Sequence, residues 1–179
     1  ENSDIVLNDP SREGYTFTGW TTSSISEPTK NIKIISGSTG NFVFNANWSA
    51  NTYNVTLNLN GGESETISYS FVYDSSYEIT VPTRIGYAFN RFEDEDGNII
   101  PLNGKWTIAK DLDIFAYWDA NPDTKYVINH YTEDLNGGGY TKVNTENLFG
   151  ISDKTLTVNS KHYEGFTPVE VSKQITIAA

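Results

Sequence analysis

The feature that most constrains this chain is an internal repeat, which occurs twice with the same residues in the same order. Residues 10–17 read PSREGYTF and residues 82–89 read PTRIGYAF, 72 positions apart. A second match follows each copy, FVFNANW at 42–48 and LDIFAYW at 112–118. Self-similarity at such a period is typical of tandem arrays of small units. The repeat therefore predicts several small modules in a row.

The residues that the two copies share combine one glycine with large aromatic side chains. In the first copy this signature consists of Pro10, Arg12, Gly14, Tyr15, Phe17, Trp20 and Trp48, and in the second of Pro82, Arg84, Gly86, Tyr87, Phe89, Phe92 and Trp118. Glycine at a fixed place indicates a backbone conformation or a close contact that a side chain would spoil. Trp48 and Trp118 each end an alternating strand, so we expect them to be mostly buried in equivalent places.

The repeat divides the chain into three predicted modules. The second, 51–120, is complete, because the alternating segments 53–59 and 67–73 flank Asn60-Gly61-Gly62 and predict a hairpin. The first, 1–50, lacks this opening hairpin. The third, 121–179, is a diverged copy that lacks the closing strand. We expect the incomplete modules to leave unpaired strand edges that favour self-association.

These segments resemble the Listeria–Bacteroides repeats, which include the B repeats of internalin B-type surface proteins. The motifs that carry the resemblance are GYTFTGW (14–20), GYAFNRF (86–92), NANW (45–48), FAYW (115–118) and VTLNLNGG (55–62). Residues 121–179 resemble a related, diverged repeat type. The resemblance implies a mainly β, β-grasp-like α+β fold. Each small module would contain a mixed sheet and at most one short helix.

The resemblance also implies a function. It indicates a non-catalytic, extracellular repeat region of a bacterial cell-surface protein or adhesin, located at the cell surface or in the cell wall. Such a region would act as a stalk or spacer that presents a distal binding domain, with neighbouring repeats of the same chain as partners. The alternative is direct binding of a host-surface protein or glycan through exposed aromatic residues. Trp106 is the candidate ligand contact, with core packing as the competing interpretation.

Composition excludes several other classes of function. The formal net charge of −11 repels phosphates and anionic lipids, so we expect no nucleic-acid partner. No window holds the roughly 18 consecutive apolar residues of a spanning helix, so we expect no membrane insertion. The chain has no cysteine and only two histidines, His130 and His162, neither of which stands in a catalytic motif. We therefore expect no catalytic residue and no cofactor.

An acidic run at 93–98 raises the question of a cation site. An EF-hand that began at Asp94 would need Gly at position 99 and Glu at position 105, where this chain has Ile99 and Lys105. A solvated hairpin turn and a weak cation site remain as two interpretations, and we expect no metal site.

Overall fold

The computed structural model describes residues 3–63 and 66–179, and this part of the chain contains fifteen β-strands and no helix. The prediction of a mainly β fold is confirmed. Since the described residues form no helix at all, none of them offers a helix that could cross a membrane.

The strands are short, and most show the alternating burial that half-buried strands require. In chain order they are β1 (Ile5–Val6), β2 (Tyr15–Thr21), β3 (Lys33–Ile34), β4 (Asn45–Ala50), β5 (Thr52–Asn58), β6 (Ile67–Val72), β7 (Ser76–Glu78), β8 (Tyr87–Asp94), β9 (Ile99–Ile100), β10 (Asn103–Lys105), β11 (Leu112–Ala120), β12 (Thr124–Glu133), β13 (Tyr140–Gly150), β14 (Thr155–Asn159) and β15 (Ser172–Thr176).

The largest sheet has five strands in the order β6-β5-β11-β8-β9. Its predicted hairpin is confirmed, because β5 pairs antiparallel with β6 and Val55 lies opposite Tyr69. On its other edge β5 pairs with β11 in parallel, with Leu112 opposite Val55 and Ile114 opposite Leu57. The sheet is therefore mixed, as the family resemblance implied.

The remaining strands form two-stranded antiparallel sheets. These are β1-β3, β2-β4, β7-β10, β12-β13 and β14-β15. In the β12-β13 hairpin the register shifts between His130 and Tyr131, which marks a bulge. In the β2-β4 pair the register shifts between Phe17 and Gly19.

The chain divides into two compact units. The first consists of Glu1–Asn58, Thr66–Thr80 and Glu93–Phe115. Its core contains apolar side chains from β5 and β11, the isoleucine that follows β7, and one tryptophan. The most deeply buried are Val55, Leu57, Ile79, Trp106 and Ile114, none of them more than 2% exposed.

The second unit consists of Leu59–Glu65, Val81–Phe92 and Ala116–Ala179. Its buried apolar side chains are Leu59, Phe92, Ala116 and Ile177. The boundaries of the three modules, 1–50, 51–120 and 121–179, stay a prediction.

Candidate functional site

The first copy of the signature forms a turn at Gly14, and the tyrosine of this turn hydrogen-bonds to an aspartate of the next predicted module. The N–H of Tyr15 donates to the carbonyl of Arg12 at 3.1 Å, and Gly14 has a φ of 75°. The guanidinium of Arg12 lies 3.8 Å from the centre of the Tyr15 ring. Beyond the ring, the Tyr15 hydroxyl donates to Oδ2 of Asp74 at 2.6 Å. One turn thus combines a cation–π contact with a long-range hydrogen bond.

The second copy makes the same arrangement 72 residues later. The N–H of Tyr87 donates to the carbonyl of Arg84 at 3.1 Å, and Gly86 has a φ of 74°. The guanidinium of Arg84 lies 3.7 Å from the centre of the Tyr87 ring. The Tyr87 hydroxyl donates to Oδ2 of Asp153 in the third predicted module.

The two aspartates share an uncommon backbone conformation. Asp74 has a φ of 64° and Asp153 a φ of 58°, in the left-handed region that aspartate adopts more readily than most residues. The N–H of Asp74 donates to the carbonyl of Trp106 at 2.8 Å, and the N–H of Asp153 donates to that of Ile177 at 2.7 Å. Each aspartate is therefore held by a backbone hydrogen bond to a core residue of its own predicted module.

A backbone link through one asparagine completes each arrangement. The N–H of Asn51 donates to the carbonyl of Gly14 at 2.9 Å, and the carbonyl of Asn51 accepts the N–H of Tyr73 at 2.8 Å. The second copy has both bonds, at 2.9 and 3.0 Å, with Asn121 in the place of Asn51. We define the first junction as Arg12, Gly14, Tyr15, Asn51, Tyr73 and Asp74, and the second junction as Arg84, Gly86, Tyr87, Asn121, Ser152 and Asp153.

Both junctions need glycine for two independent reasons. The positive φ is one, and close packing is the other. A Cβ on Gly14 would lie 2.3 Å from the ring of Tyr73. A Cβ on Gly86 would lie 2.4 Å from the Cβ of Ala179 and 2.8 Å from Oγ of Ser152. Each glycine therefore allows the backbone of one predicted module to pack directly against a side chain of the next predicted module.

Charge differs between the junctions. Lys105 Nζ lies 3.1 Å from Oδ1 of Asp74 in the first junction, whereas no described lysine pairs with Asp153 in the second. The hydrogen bond from Tyr15, followed by that from Lys105, lowers the pKa of Asp74, and the same Asp74 contact raises the pKa of Tyr15. The hydrogen bond to Asp153 raises the pKa of Tyr87.

The aromatic residues of the signature occupy equivalent places in the two copies. Phe17 contacts Trp48 with ring centroids 5.4 Å apart, and Phe89 contacts Trp118 at 5.8 Å, both edge to face. Both tryptophans are half-buried. The Nε1 of Trp118 donates to the carbonyl of Leu59 at 2.9 Å.

The other apolar residues of the signature are all at least partly buried. Phe17 and Phe92 are buried, whereas the remaining apolar members are half-buried. Those half-buried members are Pro10, Trp20, Pro82 and Phe89.

Trp106, the candidate ligand contact, is only 1% exposed. Its ring packs 5.0 Å from Phe71 and 5.2 Å from Tyr77, although it borders a cavity of about 490 Å³. A ligand would have to displace these neighbours to reach the ring. The ligand role of Trp106 therefore stays a prediction that the observed packing does not favour.

The acidic run forms a turn that is organised by one carboxylate. Asp94 is 8% exposed, and its Oδ1 accepts the N–H groups of Asp96 at 3.0 Å and Asn98 at 2.8 Å. Hydrogen bonds from the Asn98 side chain and backbone lower the pKa of Asp94. Among the residues with described positions, no three acidic, histidine or cysteine side chains group as metal ligands would.

Sequence reasoning identified the arginine, glycine and tyrosine of each junction but missed Asp74 and Asp153. The signal was present, because an aspartate follows the second hairpin strand in both modules. These aspartates are 79 residues apart, whereas the signature repeats at 72. The longer β12-β13 hairpin shifts the third module out of register and hides the match.

Comparison with known proteins identifies the repeat. The model of the Listeria-Bacteroides repeat domain matches residues 1–47 and 53–117. A relative from Evansella cellulosilytica, which bears the name "Putative membrane protein", is 28% identical over 138 residues. The match covers 73% of this chain and 19% of the relative, so the chain spans about a fifth of that protein. No solved structure matches the chain.

Proposed function

The chain belongs to the Listeria-Bacteroides repeat family, and from this membership we propose that it is part of the repeat region of a bacterial cell-surface protein or adhesin. The modules act as a stalk or spacer that presents a distal binding domain at the cell surface or wall. Proteins with this repeat are surface or extracellular proteins, and families of this kind are typically non-catalytic, which supports a role without catalysis.

The observation that carries this proposal is the equivalence of the two junctions. A spacer must hold successive repeats in a defined arrangement, because free hinges would let the distal domain collapse toward the surface. Each junction supplies a tyrosine–aspartate hydrogen bond and one backbone bond between successive predicted modules. A second backbone bond ties the linking asparagine to its own module. We therefore expect each module to bind its neighbour in the same chain.

A distance measurement across the first junction tests the proposal. The chain contains no cysteine, so Thr18→Cys and Asp113→Cys introduce one pair of spin-label sites. Both positions are exposed strand residues of the first unit. Electron–electron double resonance should give one narrow distance distribution. A broad distribution in this double variant would contradict the spacer role.

A second candidate function is direct binding of a host protein or glycan. The specific observation that favours it is the set of exposed aromatic side chains on the third predicted module, including Tyr131 at 55% and Tyr140 at 67% exposure. Exposed aromatic clusters commonly mark interaction sites.

A further inference from the structure

The hairpin of the third module has a charged residue where the second module has an apolar residue. Counting back seven positions from each junction aspartate gives Ile67 in the second module and Glu146 in the third. The strand pairing agrees, because Ile67 lies opposite Leu57 and Glu146 lies opposite Ile128. The second module thus has two apolar residues opposite each other, and the third module has one apolar and one charged residue at the matching positions.

The next inward-facing position changes in the same way. Leu59 is 4% exposed in the second module, and two residues beyond Ile128 the third module has His130, whose side chain is 10% exposed. His130 Nε2 lies 2.6 Å from Oε1 of Glu146, and Lys161 Nζ lies 3.1 Å from the same oxygen. Hydrogen bonds from His130 and Lys161 lower the pKa of Glu146.

Of this polar cluster, His130 is the most buried, with a side chain that is 10% exposed. Burial of polar groups costs free energy unless their hydrogen bonds are replaced, whereas apolar side chains gain from burial at the same positions. One cost is visible in the hydroxyl of Tyr163, which is buried without a hydrogen-bond partner among the described residues. The Tyr163 ring lies 6.1 Å from that of His130.

The cluster borders a groove of about 720 Å³, within the range of roughly 300–1,000 Å³ that small-molecule sites occupy. The groove lies between the end of β12 and the loop that follows β14. The residues that line it include five with aromatic rings, His130, Tyr131, Tyr140, Tyr163 and Phe166. At its rim Leu135 and Val169 are 93% and 95% exposed.

The groove combines ring faces with hydrogen-bonding groups. A sugar ring offers an apolar C–H face that packs on an aromatic ring, and hydroxyls that bond to carboxylates and ammonium groups. Here the carboxylates of Glu133, Asp134 and Glu170 and the ammonium of Lys161 line the same groove as the rings. The excess of carboxylates, on a chain of net charge −11, disfavours an anionic ligand.

We propose that this groove of the third module binds a neutral oligosaccharide, with Tyr131 and Tyr140 as stacking residues. His130 and Lys161 line the groove, and Glu146 holds both of them in place from outside it. This binding site rests on the second candidate function, direct glycan binding, and is independent of the spacer role because it uses no residue of either junction.

The test is a titration of the chain by NMR with defined sugars. Cellohexaose, xylohexaose and N-acetylchitohexaose are the neutral probes, and lactose is compared with sialyllactose for the effect of charge. At least one neutral hexasaccharide should shift amide signals at 129–135 and 160–170, with a dissociation constant of about 1 mM or tighter. No shift in these segments at about 10 mM of any neutral sugar would overturn the proposal. Tighter binding of sialyllactose than of lactose would also overturn it. An extended peptide is titrated as a further probe, and shifts caused by the peptide but by no sugar would overturn it as well.

Variants separate stacking from a general surface effect. Tyr131→Ala and Tyr140→Ala should each weaken binding of the responding sugar about tenfold. The matched control is Phe149→Ala, which removes an aromatic ring that is 65% exposed in β13 but does not line the groove. Binding should be unchanged in this control. Equal weakening in all three variants would contradict the assigned site.

A double variant tests the polar cluster. His130→Leu with Glu146→Ile restores the residue types of the second module, so the protein should melt at the same or a higher temperature. Its affinity for the responding sugar should fall about tenfold. A lower melting temperature with unchanged affinity would show that the cluster serves only the fold, and would overturn its role in the groove.

Discussion

The hydroxyl of Tyr15 donates a 2.6 Å hydrogen bond to the carboxylate of Asp74, 59 residues further along the chain. Tyr87 and Asp153 make the equivalent bond 66 residues apart. The two bonds differ in sequence separation because the hairpins between them differ in length, yet their surroundings match. The contact is thus a property of the repeat rather than of one module.

Replacing Gly86 by alanine should destabilise the protein by about 1–3 kcal/mol or more, because the new Cβ adds a clash to the strain of a positive φ. Gly97→Ala is the matched control, since Gly97 has a φ of 82° but nothing within 4 Å of the new Cβ. Urea unfolding of both variants separates backbone strain from close packing. Equal losses in the two variants would show that the second junction is not tightly packed.

Replacing Tyr15 by phenylalanine should lower the free energy of unfolding, because Asp74 loses a hydrogen-bond donor while the ring contact with Arg12 is kept. The control is Tyr140→Phe, which removes the hydroxyl of a tyrosine that is 67% exposed. The readout is the urea midpoint of each variant. An equal effect of both changes would contradict the role of the first junction.

The first junction should also make stability depend on pH at both ends of the scale. The folded-state pKa of Asp74 lies below its ordinary value of 3.8. Its contribution is therefore present above pH 3.8 and is lost as the pH falls through the lower, folded-state pKa.

The folded-state pKa of Tyr15 lies above 10.0, so its contribution is present below pH 10.0 and is lost as the pH rises through the higher value. Urea midpoints across the pH range should show both limbs. Asp74→Asn should flatten the acid limb and Tyr15→Phe the alkaline limb. An unchanged pH profile in both variants would exclude this linkage.

Two tryptophans should differ in their contribution to stability. Trp106 is 1% exposed, so Trp106→Ala should cost about 3–5 kcal/mol, the usual range for a large aromatic cavity. Trp118 is half-buried, and Trp118→Ala should cost less, about 2 kcal/mol. Chemical denaturation of both variants gives the comparison. The reverse order would mean that the hydrogen bond from Trp118 to Leu59 outweighs burial.

The strand pattern was predictable from the sequence, because alternation along 53–59 and 67–73 reports directly which side chains face the core. The mixed character of the sheet was accessible only through the family resemblance, and the pairing of β5 with β11 was not predicted. Leu112 and Val55 are far apart in sequence, and alternation carries no information on which distant strand is a neighbour. The junction aspartates were missed for a related reason. A contact between modules depends on how both modules are aligned, and the hairpins of the two modules differ in length. The His130–Glu146 pair was hidden because alternation reads both residues as ordinary polar positions.

The parallel pairing of β5 with β11 has a mechanical consequence for a protein that is pulled at its ends. These strands open and close the second predicted module and run in the same direction. Tension applied at the two ends of the module therefore slides one strand along the other. The backbone bonds between Val55–Asn58 and Leu112–Phe115 then bear the load together, whereas strands peeled from one end would lose their bonds one at a time. Shear of this kind gives a small module high resistance to extension.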